Sequence, residues 1–171
     1  MGRDRHMTEH GFSSLREWVQ QFIKHKDVFD RKITAIDDSK DVIVVKRKDN
    51  TAQRWVVSDQ FSYSGASKEQ TAIACLSSRE NIKAVVKVWP QLVKDAMLSI
   101  YFVNLKNGNK WNISPRVHDL IADTSTLESG LVSLLDASEG IVKEEPRKKK
   151  KQSLFEETAK ATSSEDEEGK E

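Results

Sequence analysis

Apolar positions along the chain follow two periods, and the alternation between them predicts the elements. Leu15, Trp18, Val19, Phe22 and Ile23 fall at i, i+3, i+4, i+7 and i+8, one stripe of an amphipathic helix. Ser14 and Glu17 precede it in Ser-x-x-Glu spacing, the form of a capping box, and the helix should end near Lys26. The pattern then shortens to strand signals: 32–36, a turn at 37–40, a β-branched run at 41–46, a break at Asp49-Asn50, and a return at 54–58. Three antiparallel strands in a row are the simplest reading.

Residues 60–67 read as a Ser/Gly loop. Ser67-x-x-Gln70 is read as the cap of a short helix carrying Ala72, Ile73 and Leu76. Ser77-x-x-Glu80 marks another start, followed by Ile82, Val85, Val86, Trp89, Val93 and Met97 at helical spacing. Pro90 should kink or divide that helix. Ile82, Ala84, Val86 and Val88 also alternate as a strand would, but helix is the preferred assignment. Residues 98–105 and 110–113 flank Asn107-Gly108, which predicts a hairpin closed by a type I′ turn. Pro115 stops the second strand, 117–122 suggests a helical turn, and Ser125-x-x-Glu128 precedes a stripe of Leu127, Leu131, Leu134 and Leu135. The expected fold is a single α+β domain over 12–140. It holds an antiparallel sheet of about five strands in two hairpin units, with helices on one face.

Charge changes the picture at the ends. Hydrophobic residues are 37% of the 171-residue chain and charged residues 32%. Pro146 is followed by Arg147, Lys148, Lys149, Lys150 and Lys151, and Ser163-Ser164 then lead into an acidic cluster. Residues 143–171 hold eight basic and nine acidic residues, so this segment nearly cancels itself. Residues 141–171 are expected to be a disordered basic-then-acidic tail. Residues 1–11 are expected to be disordered as well, with 1–6 resembling a cloning scar. One cysteine, Cys75, excludes an internal disulfide or a CxxC site, and no apolar run reaches membrane-span length. An intracellular location follows as the expectation, nuclear if the source is eukaryotic.

The net charge is only +1, so a preference for anions must come from local patches. The run at 147–151 has the form of a nuclear-localisation or nucleic-acid segment. Lys46, Arg47, Lys48 and Arg54 flank one turn, Lys106 and Lys110 flank the other, and Trp55 and Trp111 lie beside them. Cations interleaved with indoles suit single-stranded nucleic acid. Strand alternation places Arg54 and Trp55 on opposite faces, however, which favours Trp55 as core. These residues make a non-catalytic module associating with nucleic acid, or with a complex containing it, the leading expectation. No cofactor and no metal are implied. The alternative is a protein-interaction domain whose tail is a nuclear signal or a docking peptide anchored by Leu154 and Phe155. A minor alternative is a metal-dependent nuclease. One helix, three strands and Asp37, Asp38 and Asp41 before a basic strand resemble the restriction-type nuclease core. Such a core needs an acid two positions before a lysine, and here Val44 and Lys46 stand two before Lys46 and Lys48.

Overall fold

The computed structural model describes residues 12–121 and 123–139, which build a six-stranded mixed sheet in simple sequence order with five helices divided between its two faces. The first helix, α1 (Leu15–Asp27), starts at Ser14, whose hydroxyl accepts from the Glu17 N–H at 3.2 Å. The Glu17 carboxylate reaches back to the N–H of Ser13 at 3.0 Å, one residue earlier than a capping box requires. Hydrogen bonds from Ser13 hold that carboxyl below its ordinary range. Leu15, Trp18, Val19 and Ile23 are buried, and Lys24, His25 and Lys26 occupy the last turn, where positive charge complements the helix dipole.

Strands β1 (Ile33–Asp38), β2 (Val42–Arg47) and β3 (Ala52–Val57) form the expected antiparallel meander. Its second turn uses Asn50 at φ +60°. Arg16 of α1 locks the first turn by bonding the Asp38 carboxylate and the carbonyls of Ser39 and Lys40. Beyond β3 the structure departs from expectation. The segment read as a short helix is strand β4 (Gln70–Leu76), and it runs parallel to β3 and to β5 (Leu98–Val103). Only β6 (Lys110–Ile113) returns antiparallel, so the sheet is mixed and has six strands rather than five. Thr71 to Cys75 are all buried, because β4 is covered on both sides.

That double cover is the second correction. Ala72 and Ala74 pack under α1 with Ile43, Val45, Trp55, Tyr101 and Val103. Ile73 and Cys75 face the other way, into a core with Ile100, Phe102 and Ile113. This second layer is closed by α2 (Arg79–Lys87), α3 (Trp89–Leu92) and α5 (Leu127–Ser138), with α4 (Pro115–Ile121) beside α3. The preferred helix at 82–88 is therefore present, and Val88 with Pro90 divides α2 from α3 as the proline requires. Its cap is Ser78, not Ser77, and α5 begins without a side-chain cap after the 3-10 turn Thr124–Thr126.

The β5–β6 hairpin forms, but with a longer loop than a type I′ turn. Asn104 N–H donates to Asn109 O and Gly108 N–H to Asn104 O, both at 2.8 Å. Gly108 takes φ +71° while Asn107 keeps a negative φ. Parallel strands usually need a helix between them. Here residues 58–69 cross from β3 to β4 without one, held by two buried polar side chains. The Asn81 amide donates to Asp59 O and Leu76 O and accepts from Phe61 N–H, each at 2.8 Å. The Asp95 carboxylate accepts from Met97 N–H at 3.1 Å and Ser67 N–H at 3.4 Å. Tyr63 also lies against Asp95, and burial together with that carboxylate pushes its phenol above the ordinary value.

Candidate nucleic-acid interface

The α1 side of the sheet carries a continuous aromatic cluster. Phe22 stacks on Trp18 with ring centres 5.0 Å apart, and meets Trp55 at 5.8 Å and Tyr101 at 5.7 Å. Trp55 and Tyr101 lie 4.8 Å apart. The helix period supplies Trp18 and Phe22 to one face, while strand alternation sends Trp55 from β3 and Tyr101 from β5 to meet them. Register then adds a charge. Lys110 pairs with Val103 across β5–β6, shares its face, and places Nζ 4.9 Å from the Phe22 ring centre. Lys26, one helical turn beyond Phe22, places Nζ 6.0 Å from the same ring.

These side chains enclose an open basin of about 530 Å³ lined by Phe22, His25, Lys26, Tyr101, Lys110 and Asn112. No carboxylate lines it, and among the described residues neither Lys26 nor Lys110 forms an ion pair. Burial pushes the Tyr101 phenol above its ordinary value, so it remains a neutral donor at physiological pH. Next to the basin, and sharing Phe22, Lys26 and Tyr101 with it, a narrower cleft of about 270 Å³ crosses the sheet toward Arg47, Gln53 and Lys32. Asp27 and Asp30 also border the cleft. The Asp27 carboxylate accepts from the backbone N–H groups of Lys32 and Ile33, and Asp30 pairs with Lys32 at 3.4 Å.

The cations singled out in the sequence do not form one patch. Lys110 lies in the basin and Arg47 in the cleft, where its guanidinium donates to Gln53 at 2.9 Å. Lys46 and Arg54 project from the opposite face of the same strands. Lys46 there pairs with Asp37 at 2.9 Å, with both side chains more than half exposed. Lys48 sits in the β2–β3 turn and Lys106 in the β5–β6 loop, both exposed and apart from the basin. Trp55 is core at 2% exposure. Trp111 lies on the far face, stacked on Phe102 at 4.0 Å and donating to Ser77 Oγ at 3.0 Å, so the two indoles share no surface. Arg147, Lys148, Lys149, Lys150, Lys151, Leu154 and Phe155 lie outside the described residues, as do 1–11. The sequence reading does not reach Phe22, His25, Lys26 and Asn112 as site residues, whereas Tyr101, on the opposite strand face from Phe102, is open to a packing or ligand role. The i, i+4 spacing of Phe22 and Lys26 was the available signal.

Asp38 bonds Arg16 and Gln20, and Asp37 is the partner of Lys46. Among the described residues no group of three or more His, Cys, Asp or Glu gathers as metal ligands, and no helix is long and apolar enough to cross a membrane. Comparison with protein-family profiles, curated proteins and solved structures finds no match to this chain.

Proposed function

We propose that this domain is a non-catalytic binding module for nucleic acid, and that it takes the strand on the α1 side of its sheet. One observation carries the reading: three basic side chains, His25, Lys26 and Lys110, line the basin with the Phe22–Tyr101 pair, and the carboxylates nearest to them, Asp27 and Asp30, border the adjoining cleft rather than the basin. Cations there follow phosphates while the rings offer stacking faces, the combination that single strands need. The basic run at 147–151 adds a second, sequence-independent source of phosphate contacts.

The protein-interaction reading retains one specific observation. Leu120 is 82% and Ile121 78% exposed on α4. That apolar pair lies on the other side of the sheet from the basin, so the two readings concern separate surfaces.

The test is binding of labelled single- and double-stranded oligonucleotides against salt, for the full chain and for the chain truncated after Gly140. A steep salt slope that survives truncation is the expected result. Binding that disappears with the tail assigns it to the lysines alone, and absence of binding at low salt refutes the proposal.

A further inference from the structure

Resting on the nucleic-acid reading above, we infer that the cleft between α1 and strands β2–β5 is a pocket for one unpaired base, with the basin beside it holding that nucleotide's phosphate. The two cavities adjoin, with Phe22, Lys26 and Tyr101 lining both. They differ in chemistry. The basin offers cations over a ring. The cleft offers groups that both donate and accept, Gln53, Gln70, Ser99 and Tyr101, beside Phe22 and Trp55, and charges of both signs, Asp27 and Asp30 with Lys26, Lys32 and Arg47, also line it. Mixed donors and acceptors beside aromatic rings match the edge and face of a nucleobase. They match a fatty chain or a bare phosphate poorly.

Trp55 supplies a second, independent observation. Its indole nitrogen is the single buried side-chain nitrogen or oxygen without a hydrogen-bond partner among the described residues. An orphaned donor is a cost that cores ordinarily avoid, and phenylalanine would fill much of the same space without it. Trp55 lines the cleft, so an acceptor entering there, with a small shift of the Tyr101 or Phe22 ring, would give that N–H its missing partner.

Charge also flanks the cleft on two sides. Lys110 of β6 stands in the basin on one side, and Arg47 of β2 lines the cleft on the other, with Lys32 beside it paired to Asp30. Those two strands are about four strand spacings apart, roughly 19 Å. A strand laid across the sheet would therefore meet cations before and after the inserted base. A duplex would not enter, since its bases are stacked and paired.

The experiment measures anisotropy of a labelled single-stranded RNA octamer, an abasic phosphodiester of equal length and a duplex with the full-length protein, each over a salt series. The expected result is binding of the octamer at least tenfold tighter than of the abasic strand. That ratio should fall toward one in Gln70→Ala and in Trp55→Phe, with the salt slope unchanged. Gln70 is exposed, so its variant keeps the test valid if Trp55→Phe does not fold. Equal binding of octamer and abasic strand by the unaltered protein, with a steep slope, overturns the base pocket and leaves the binding module standing. No binding of any probe overturns both.

Discussion

Replacing Asn81 should loosen the crossover that makes the parallel half of the sheet possible. The side chain is 4% exposed and makes three hydrogen bonds of 2.8 Å, two as donor to Asp59 O and Leu76 O and one as acceptor from Phe61 N–H. Each bond contributes about 1 kcal/mol net, and a buried group left without a partner costs about 1–3 kcal/mol. Asp59 is exposed and its carbonyl can regain water, whereas the Leu76 and Phe61 groups lie deeper. Asn81→Ala should therefore lose about 3 kcal/mol. In a domain of this size that is roughly 10 °C in Tm. Asn81→Asp keeps the acceptor for Phe61 but turns a carboxylate oxygen toward two carbonyls, so it should be no more stable than Asn81→Ala. Urea unfolding gives the free energy, and limited proteolysis within 58–69 reports the local opening. A loss below about 0.5 kcal/mol for Asn81→Ala, with no new cleavage in that segment, would refute the view that this amide holds the crossover.

Two further expectations follow from named side chains. Lys26→Ala with Lys110→Ala should lower the salt slope for single strands by about 1.4, at about 0.7 per phosphate contact, whereas Lys46→Ala on the opposite face should leave it unchanged; equal effects would remove the α1-side assignment. Burial pushes the Cys75 thiol up to about 12. Its neutral form therefore favours the folded state fully below about pH 9, and that contribution is lost as pH rises toward 12. Cys75 should resist thiol reagents at pH 8 until the protein is unfolded, and labelling of the native protein at the unfolded rate would contradict its burial.

The elements that were legible from the pattern are those with one buried face. The helix α1, the meander β1–β3 and the helix α2 each expose a polar side, so their periods show; the β5–β6 hairpin is the exception, since Ile100 to Val103 are all buried, and its signal is Asn107-Gly108 between two strand-like runs. Strand β4 has no polar side between Thr71 and Cys75, and a short continuous apolar run carries no period by which strand and helix differ. With β4 read as helix, the parallel pairings and the second helical layer are out of reach, because both depend on a central strand covered twice. The hairpin loop was misjudged for a local reason: Asn107-Gly108 supplied one positive-φ residue, Gly108, not two. The site was partly legible. Lys110 stood out beside its turn, but Lys26 resembled an ordinary helix-end cation, and its partner Tyr101 lies 75 positions later.

Strand alternation also explains why the most basic triplet of the body is a poor guide to the proposed interface. Lys46 and Arg47 are neighbours in sequence, yet one points to an exposed pair with Asp37 and the other into the cleft with Gln53. An exposed pair of that kind contributes about 0–1 kcal/mol and holds no surface together. With a net charge of +1 there is no long-range field to gather a polyanion, and a Debye length of about 8 Å at physiological salt confines each cation to its own contacts. A few unpaired cations in a basin can place a phosphate, but they cannot supply much affinity by charge alone. On the proposed reading, affinity at the domain comes from the rings of Phe22 and Tyr101 and from the adjoining cleft. On the same reading, the run at 147–151 adds phosphate contacts that weaken as ionic strength rises. The two contributions are therefore separable by salt: above the concentration at which lysine contacts are screened, whatever binding persists measures the aromatic pocket.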